Sequence, residues 1–126
     1  MDIDIGNDRP FILIAGPCQI ESKDHAYKMA SSIKAITDKL GIQFIYKSSF
    51  DKANRTSLHG GRGPGLEEAK EVWAESKERF PDIKITTDVH ECWQLEHLVG
   101  LVDAIQIPAF LSRQTDLIVE SAKLFP

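Results

Sequence analysis

The sequence predicts an α/β fold with a parallel sheet, because apolar runs typical of strands alternate with amphipathic helical segments four times. Three of the helical segments stop at glycine or proline, which are common ends of helices. No low-complexity tract or long linker divides the 126 residues, so one domain is expected. Strand–helix alternation also implies right-handed crossovers and strands that run in the same direction.

The first half of the chain contains two of these units. Residues 11–14 form a continuous apolar run, of the kind that is buried on both faces of a parallel sheet. A helix that stops at Gly41 follows, then a strand at 43–46, a long loop, and a helix from Gly65 to Phe80. The apolar faces of the two helices are predicted to contain Ala26, Met29, Ala30, Ile33, Ile36 and Leu40, and Leu66, Ala69, Val72, Trp73 and Phe80. Before the first strand, Ile3 and Ile5 flank Gly6 and Asn7, for which a short hairpin is one interpretation.

The second half repeats the pattern. Residues 83–89 are rich in β-branched residues and predict a strand, and 104–107 predict another that Pro108 closes. A short helix between them is expected to end at Gly100, and Thr115 is predicted to cap the last helix. The buried positions predicted for these helices are Leu95, Leu98 and Val99, and Leu117, Ile118, Ala122 and Phe125.

The number of units indicates which α/β architecture to expect. A free-standing flavodoxin-like sandwich usually has five strands, whereas a (β/α)8 TIM barrel has eight units in about 250 residues. Four units in 126 residues are half of a barrel. We therefore expect residues 1–126 to be the N-terminal half of a single (β/α)8 barrel domain.

Composition excludes some classes of function. The net charge of −4 argues against general nucleic-acid binding, and no apolar run reaches the roughly 18 residues that span a membrane. The acidic start differs from the basic start of a signal peptide. Cys18 and Cys92 show neither disulfide-scaffold nor zinc-finger spacing, so a reducing cytoplasm is the expected location.

Polar residues follow each of the four predicted strands. Cys18 follows the first, Lys47 and Ser49 the second, Asp88 and His90 end the third, and Gln106 ends the fourth. In parallel α/β folds the carboxyl ends of all strands share one rim, which holds the active site. The positions therefore predict a site at that rim. The alternative interpretation is that loops are polar everywhere.

The densest cluster of polar residues is in the long loop at residues 47–65. It offers four cationic side chains, several hydroxyl groups and a glycine-rich path into a helix; the cations are Lys47, Lys52, Arg55 and Arg62. Lysine, arginine and helix N-terminal amides all bind phosphate. The loop matches neither a Walker nor a Rossmann fingerprint. It is interpreted as a site for a small, multiply anionic substrate, or else as a solvated loop with a Gly-Pro-Gly turn.

Cys18, and the pair Asp88 and His90, each allow more than one interpretation. Cys18 could be a metal ligand, a nucleophile or an inert thiol. Asp88 and His90 point the same way from a strand, by its two-residue period, and could transfer a proton or orient a hydroxyl group. Trp73 and Trp93 are interpreted as helix-packing residues.

Five motifs, in order and covering nearly the whole chain, resemble the 3-deoxy-D-manno-octulosonate 8-phosphate synthase family, over the N-terminal half of its usual length. They are GPCQIES at 16–22, FDKANRTS at 50–57, RGPGLEE at 62–68, TDVHE at 87–91 and QIPAFLSRQTD at 106–116. The resemblance implies a transferase of lipopolysaccharide precursor synthesis that condenses phosphoenolpyruvate with D-arabinose 5-phosphate. The sister enzymes that use erythrose 4-phosphate carry Lys-Pro-Arg-Thr where this chain has Lys52-Ala53-Asn54-Arg55, which favours the arabinose 5-phosphate enzyme.

The resemblance also implies roles for individual residues. It assigns phosphoenolpyruvate binding to Lys47, Ser49 and Lys52, and sugar phosphate binding to Asn54, Arg55 and Thr56, where the family more often has serine at the last position. Asp88 and Gln106 are implied to lie near the reacting atoms. The expected catalytic residues are Lys52, Asn54 and Asp88, and Gln106 is expected to bind substrate. Ala109 and Arg113 belong to a segment that reaches into a neighbouring subunit, which implies a homo-oligomer, a tetramer in the family.

The residue at position 18 separates two classes of the family. Members with cysteine there depend on a divalent metal ion, and members with asparagine do not. Cys18 is therefore implied to be a metal ligand, with the His, Glu and Asp ligands expected in the second half of the barrel. The two alternatives kept open are a 3-deoxy-D-arabino-heptulosonate 7-phosphate synthase and a non-catalytic half barrel that self-associates through its open sheet edges.

Overall fold

A computed structural model describes residues 5–126 as four parallel strands that alternate with four α-helices. The strands are β1 (Ile12–Ala15), β2 (Gln43–Lys47), β3 (Lys84–Asp88) and β4 (Ala104–Gln106). The helices are α1 (Lys23–Leu40), α2 (Leu66–Arg79), α3 (Cys92–Glu96) and α4 (Thr115–Leu124), and a 3₁₀ turn covers Ala109–Leu111. The predicted sequence of elements is confirmed, apart from this turn, which is too short to produce a periodic pattern.

The sheet has the order β1-β2-β3-β4, and every neighbouring pair is parallel. Because each strand adds to the same edge, right-handed crossovers place all the connecting helices on one face of the sheet. In a flavodoxin-like sheet the order in which strands are added reverses once, so that helices cover both faces. The observed order is that of the first βα units of a TIM-barrel fold, as the sequence predicts.

The two faces of the sheet differ in their surroundings. The helix-covered face holds the core, in which Tyr46, Trp73 and Ile85 are fully buried. On the other face, Ile14 pairs in register with Ile45 and is 54% exposed. The prediction that residues 11–14 are buried on both faces is therefore wrong for Ile14, because the described helices all cover the opposite face, and it is wrong for Phe11, which precedes β1 and is 68% exposed.

The α1 helix is defined at both ends by its sequence. The Ser22 side chain accepts a hydrogen bond from the His25 amide, and Gly41 ends the helix in the left-handed region at φ 66°. Two predicted buried positions are wrong, since Ile36 and Leu40 are 59% and 63% exposed. Thr37 takes the buried position instead, and its hydroxyl donates to the Ile33 carbonyl at 3.1 Å.

Four further predictions in the second half are corrected. Gln114, not Thr115, is the N-cap of α4, and no side chain caps it; Ser121 is buried on this helix where Ile118 and Ala122 were expected. The α3 helix ends at Glu96, which leaves Val99 in the following turn and 52% exposed. Trp93 is 55% exposed and donates to Glu91 instead of packing in the core.

The hairpin prediction for the N-terminus includes Ile3, which lies outside the described residues. Residues 6–9 form a turn in which the Arg9 amide donates to the Gly6 carbonyl at 3.2 Å.

Candidate active site

The loops after β1 and β2 are joined beyond the ends of the strands. The Ile20 amide donates to the Ser49 carbonyl at 2.9 Å, and Gln19 and Ser49 form a further parallel bridge. Gly16 makes this junction possible, since a Cβ atom there would lie 1.8 Å from the Lys47 carbonyl oxygen. The close contact of the two loops fixes the position of Lys47 and Ser49 at the carboxyl rim of the sheet.

The long loop after β2 is closed by backbone hydrogen bonds. The Lys52 amide donates to the Arg62 carbonyl at 2.6 Å, and the Gly65 amide donates to the Phe50 carbonyl at 3.0 Å. Gly63 sits between them at φ 109°, a conformation that favours glycine. The loop therefore returns to its own start, which places Lys52 directly beside the sheet.

Two of the four predicted cations bind groups of the loop. Arg62 forms a two-pronged ion pair with Asp51, with 2.8 Å between Nε and Oδ1. Arg55 donates to the Gly61 carbonyl at 2.9 Å and to the Gln19 side chain at 2.7 Å. These two arginines hold the loop together, and the two lysines are the cations that face the site.

A cavity of about 170 Å³ lies at the carboxyl rim of β2, β3 and β4. Six of the predicted site residues line it, and they are Lys47, Lys52, Asn54, Asp88, Gln106 and Ala109. His90, Pro108 and Phe110 complete the lining. Residues from three strands and three connecting loops, separated by up to 63 positions in sequence, thus converge on one small volume, as the rim prediction requires.

Asp88 is the central charge of this cavity. Its Oδ2 atom lies 3.5 Å from His90 Nε2 and 4.0 Å from Lys52 Nζ, and all three side chains are at most 15% exposed. Burial raises the pKa of the Asp88 carboxyl, but the neighbouring His90 and Ser49 side chains and the charges of Lys52 and Lys47 outweigh that effect and lower the pKa to about 2. Asp88 is therefore a carboxylate at neutral pH.

Three polar atoms in this cluster remain available. Among residues 5–126, Asp88 Oδ1, Ser49 Oγ and His90 Nδ1 have no hydrogen-bond partner, although all three atoms are buried. Buried polar atoms are nearly always paired. Their position beside two lysines is what a site for a polar ligand requires.

The His90 ring is supported from the core side. It packs edge-to-face against Phe50, with 5.8 Å between ring centroids, and Phe50 packs in the same way against Trp73 at 6.1 Å. Trp73 is fully buried and donates to Ser48 Oγ at 3.3 Å. The His90 ring thus packs against Phe50, whose ring contacts Trp73, and both of these aromatic side chains are buried in the core.

The charges in the cavity favour an anionic ligand. Lys47 and Lys52 provide two positive charges, and Asp88 provides one negative charge. Lysine ammonium groups are common binders of phosphate, and a fixed carboxylate beside them is suited to a centre that becomes positively charged during reaction. The arrangement fits a small phosphorylated substrate on which positive and negative charge develop at different atoms during reaction.

Other predicted residues lie apart from this cavity. Arg55 and Thr56 are exposed on the loop, Arg113 is exposed after the 3₁₀ turn, and Cys18 is exposed on the loop after β1. Within residues 5–126, no three His, Cys, Asp or Glu side chains are grouped so that they could hold a metal ion. One exposed thiol at the rim fits a single ligand position, and the described residues do not complete a metal site.

Three lining residues, His90, Pro108 and Phe110, received no role from the family resemblance. His90 was signalled by its two-residue spacing from Asp88, which places both side chains on one face of a strand. Phe110 was not signalled, since it lies in the three-residue 3₁₀ turn.

The fold defines a class of protein: parallel βα-repeat domains of the TIM-barrel type, with a candidate site at the carboxyl ends of the strands. Within the described residues no helix is long and apolar enough to cross a bilayer. The chain belongs to the DAHP synthetase I family, whose family model matches residues 1–125.

Comparison with individual proteins gives a narrower match. The chain is 58% identical over 122 residues to a protein of Rickettsia canadensis named 2-dehydro-3-deoxyphosphooctonate aldolase. Proteins with the same name from Rickettsia conorii and Bartonella henselae are each 57% identical over 122 residues. These alignments cover 97% of the chain but 43–44% of each relative, so the chain spans less than half the length of the relatives it matches.

Proposed function

We propose that the protein containing this chain condenses phosphoenolpyruvate with D-arabinose 5-phosphate and water, giving 3-deoxy-D-manno-octulosonate 8-phosphate and phosphate. The observation that carries the proposal is the small rim cavity in which Lys52 and His90 share one oxygen of the Asp88 carboxylate. Its support from comparison is the shared name of relatives that are 57–58% identical. The enzyme is then a transferase of lipopolysaccharide precursor synthesis.

The chemistry needs separated charges. The methylene carbon of phosphoenolpyruvate attacks the sugar aldehyde, water adds to the carbon that bears the phosphate, and phosphate then leaves by C–O cleavage. Negative charge develops on the aldehyde oxygen while positive charge develops on the phosphate-bearing carbon. In the proposal, Lys52 stabilises the negative charge on the aldehyde oxygen. The Asp88 carboxylate, which is ionised at neutral pH, stabilises the positive charge on the phosphate-bearing carbon.

Binding of the two substrates divides among the rim residues. Lys47, Ser49 and Lys52 are proposed to bind phosphoenolpyruvate, since the two lysines line the cavity and the buried Ser49 hydroxyl lies beside Asp88. Asn54 lines the same cavity and is proposed, with Lys52 and Asp88, to orient the reacting aldehyde. Gln106, also in the lining, is proposed as a contact to substrate hydroxyl groups.

The phosphate of the sugar is proposed to bind at the loop. Arg55 and Thr56 are exposed there, and Arg55 would exchange one of its two hydrogen bonds for the phosphate. Ala109 is the first residue of the 3₁₀ turn and Arg113 follows the turn, and both are proposed to reach a neighbouring copy, in a homo-oligomer that we infer to be a tetramer.

Cys18 is proposed to be one ligand of a divalent metal ion. Its exposed thiol at the rim is free of disulfide bonding, and the other ligands are proposed to come from outside this chain. When bound, the metal would act as a Lewis acid on a substrate oxygen. The two unpaired cysteines also support a reducing, cytoplasmic location.

The proposal is tested with a fusion of residues 1–126 to the part of the Rickettsia canadensis relative that the alignment does not cover. Phosphate release should require phosphoenolpyruvate and arabinose 5-phosphate together. Residues 1–126 alone serve as the control and should release no phosphate. A folded fusion that is inactive, or that prefers erythrose 4-phosphate, would contradict the proposal.

A second candidate is self-association as a non-catalytic half barrel. The specific observation in its favour is the open sheet face, where Ile14 is 54% exposed beside a cavity of about 420 Å³. Sedimentation of residues 1–126 and the phosphate-release assay on the fusion together separate the two candidates. A stable dimer of residues 1–126 combined with an inactive fusion favours self-association.

A further inference from the structure

The turn between β3 and α3 is organised around one buried amide side chain. Gln94 is 5% exposed, and its Oε1 atom accepts hydrogen bonds from the His90 amide at 2.8 Å and the Glu91 amide at 3.1 Å. The Glu91 side chain in turn accepts from the Gln94 amide, which completes a capping box. A single oxygen therefore fixes two consecutive peptide groups.

These two peptide groups lead directly into the candidate site. His90 is the residue whose ring lies 3.5 Å from Asp88 and packs against Phe50. The preceding residue, Val89, is held by its amide hydrogen bond to the Gln106 carbonyl at 3.1 Å. His90 is thus the first residue of the turn that no strand hydrogen bond holds, and Gln94 supplies the bond to its amide.

We infer that Gln94 is a positioning residue that sets the His90 ring against Asp88 Oδ2. This inference deepens the proposed function, because it assigns the support of the catalytic carboxylate, but its test uses no substrate. Gln94 touches neither the cavity nor the Asp88 side chain in the described contacts, and it acts through the backbone of His90.

Other groups around Asp88 do not replace this support. Lys52 approaches the same Oδ2 atom from the long loop, at 4.0 Å, and Lys47 and Ser49 lie near the carboxylate at the end of β2 and just after it. Among residues 5–126, none of these three side chains forms a hydrogen bond or ion pair with residues 89–91 of the β3–α3 turn. If Gln94 is removed, the His90 ring loses its fixed backbone while the lysines and Ser49 stay in place.

The test compares variants of this chain by NMR. In Gln94→Met, which has similar volume but no oxygen, we expect loss of the cross-relaxation signal between the His90 and Phe50 rings. The midpoint of the pH titration of the Asp88 carboxyl ¹³C signal should move from about 2 toward the ordinary aspartate value. In Gln94→Glu, whose carboxylate can still accept both amide bonds, the ring signal should be retained.

One control and one alternative variant separate an effect on the position of His90 from an effect on stability. Ser22→Ala also removes a helix cap, from α1, and should lower stability without changing either signal. If Gln94→Met does not fold, Gln94→Asn replaces it in the test. Asparagine keeps a polar side chain, but its oxygen lies one methylene closer to the backbone, so the ring signal should also be lost. A folded Gln94→Met or Gln94→Asn with wild-type ring contact and Asp88 titration would overturn the inference, whatever the activity of the whole enzyme.

Discussion

Gly16 and Lys47 are in backbone contact where the loops after β1 and β2 meet. A Cβ atom on residue 16 would lie 1.8 Å from the Lys47 carbonyl oxygen and 2.8 Å from its carbonyl carbon. Contacts below 3.0 Å require something to move, and here the neighbour is a backbone group. The same contact determines where the Lys47 side chain enters the candidate site.

Gly16→Ala is therefore expected to destabilise the fold and displace Lys47. We expect a loss of about 3 kcal/mol in the free energy of unfolding, at the upper end of what overpacking costs. Urea unfolding measures this loss. The matched control is Gly61→Ala, where the nearest atom to the new Cβ is the Gln19 amide nitrogen at 3.6 Å. Equal stability of the two variants would contradict the prediction.

The low pKa of Asp88 predicts a pH-dependent contribution to stability. The pKa is about 2 in the folded chain against 3.8 ordinarily, so the carboxylate stabilises the fold above about pH 4 and this stabilisation is lost as the pH falls toward 2. Since one pKa unit corresponds to about 1.4 kcal/mol, the Asp88 carboxylate contributes about 2 kcal/mol to the free energy of unfolding near neutral pH. Unfolding of wild type and Asp88→Asn from pH 2 to 7 tests this.

The two stability curves should separate at neutral pH and converge near pH 2. Asp82→Asn provides the control, because Asp82 is an exposed carboxylate that precedes the same strand. A constant difference between wild type and Asp88→Asn over the whole pH range would show that the Asp88 charge is not the cause.

Lys52→Met is expected to reduce kcat/KM of the fusion enzyme about 100-fold or more. Removing one group that stabilises developing charge typically has an effect of this size. Lys52 is only 15% exposed and lies 4.0 Å from Asp88, so water replaces its charge poorly. Lys70→Met is the control, since Lys70 pairs with Glu67 on the surface of α2 at 3.1 Å. Phosphate release measures both, and a less than tenfold difference would refute the role of Lys52.

Elements and rim positions followed from local patterns in the sequence. Continuous apolar runs identified the strands, Gly41 identified a helix end, and a parallel sheet necessarily brings Lys47, Asp88 and Gln106 to one rim. These features depend on nearest neighbours along the chain or on a rule of topology. For this reason the sequence alone was sufficient to predict them.

Other features depend on contacts between distant residues and could not be predicted. The charges of Arg55 and Arg62 suggested anion binding, but their partners, Gln19 and Asp51, are set by the path of the loop. The burial of Thr37 in place of Ile36 depends on the rotation of α1 against the sheet. The exposure of Ile14 depends on which face of the sheet the helices cover.

Metal dependence of the fusion enzyme is expected to pass through Cys18. Cys18→Ser replaces a thiolate by a hydroxyl group that binds soft metals weakly, so bound metal after dialysis should fall at least tenfold. Cys92→Ser is the control, because Cys92 is partly buried at the start of α3. Elemental analysis of both variants gives the result. Equal metal content in the two variants would exclude Cys18 as a ligand.

Arg55 and Arg62 have similar charges in one loop but are expected to differ in function. Arg62 is committed to a two-pronged pair with Asp51, whereas Arg55 donates to a carbonyl and a neutral amide, both of which a phosphate can replace. In the fusion enzyme, Arg55→Ala should raise the KM for arabinose 5-phosphate at least tenfold with a smaller effect on kcat, because a phosphate contact far from the reacting atoms contributes mainly to binding. Arg62→Ala should instead loosen the loop and alter the KM for both substrates by similar factors. Steady-state kinetics with each substrate varied in turn separates these patterns, and a KM effect of Arg55→Ala confined to phosphoenolpyruvate would place the sugar phosphate elsewhere.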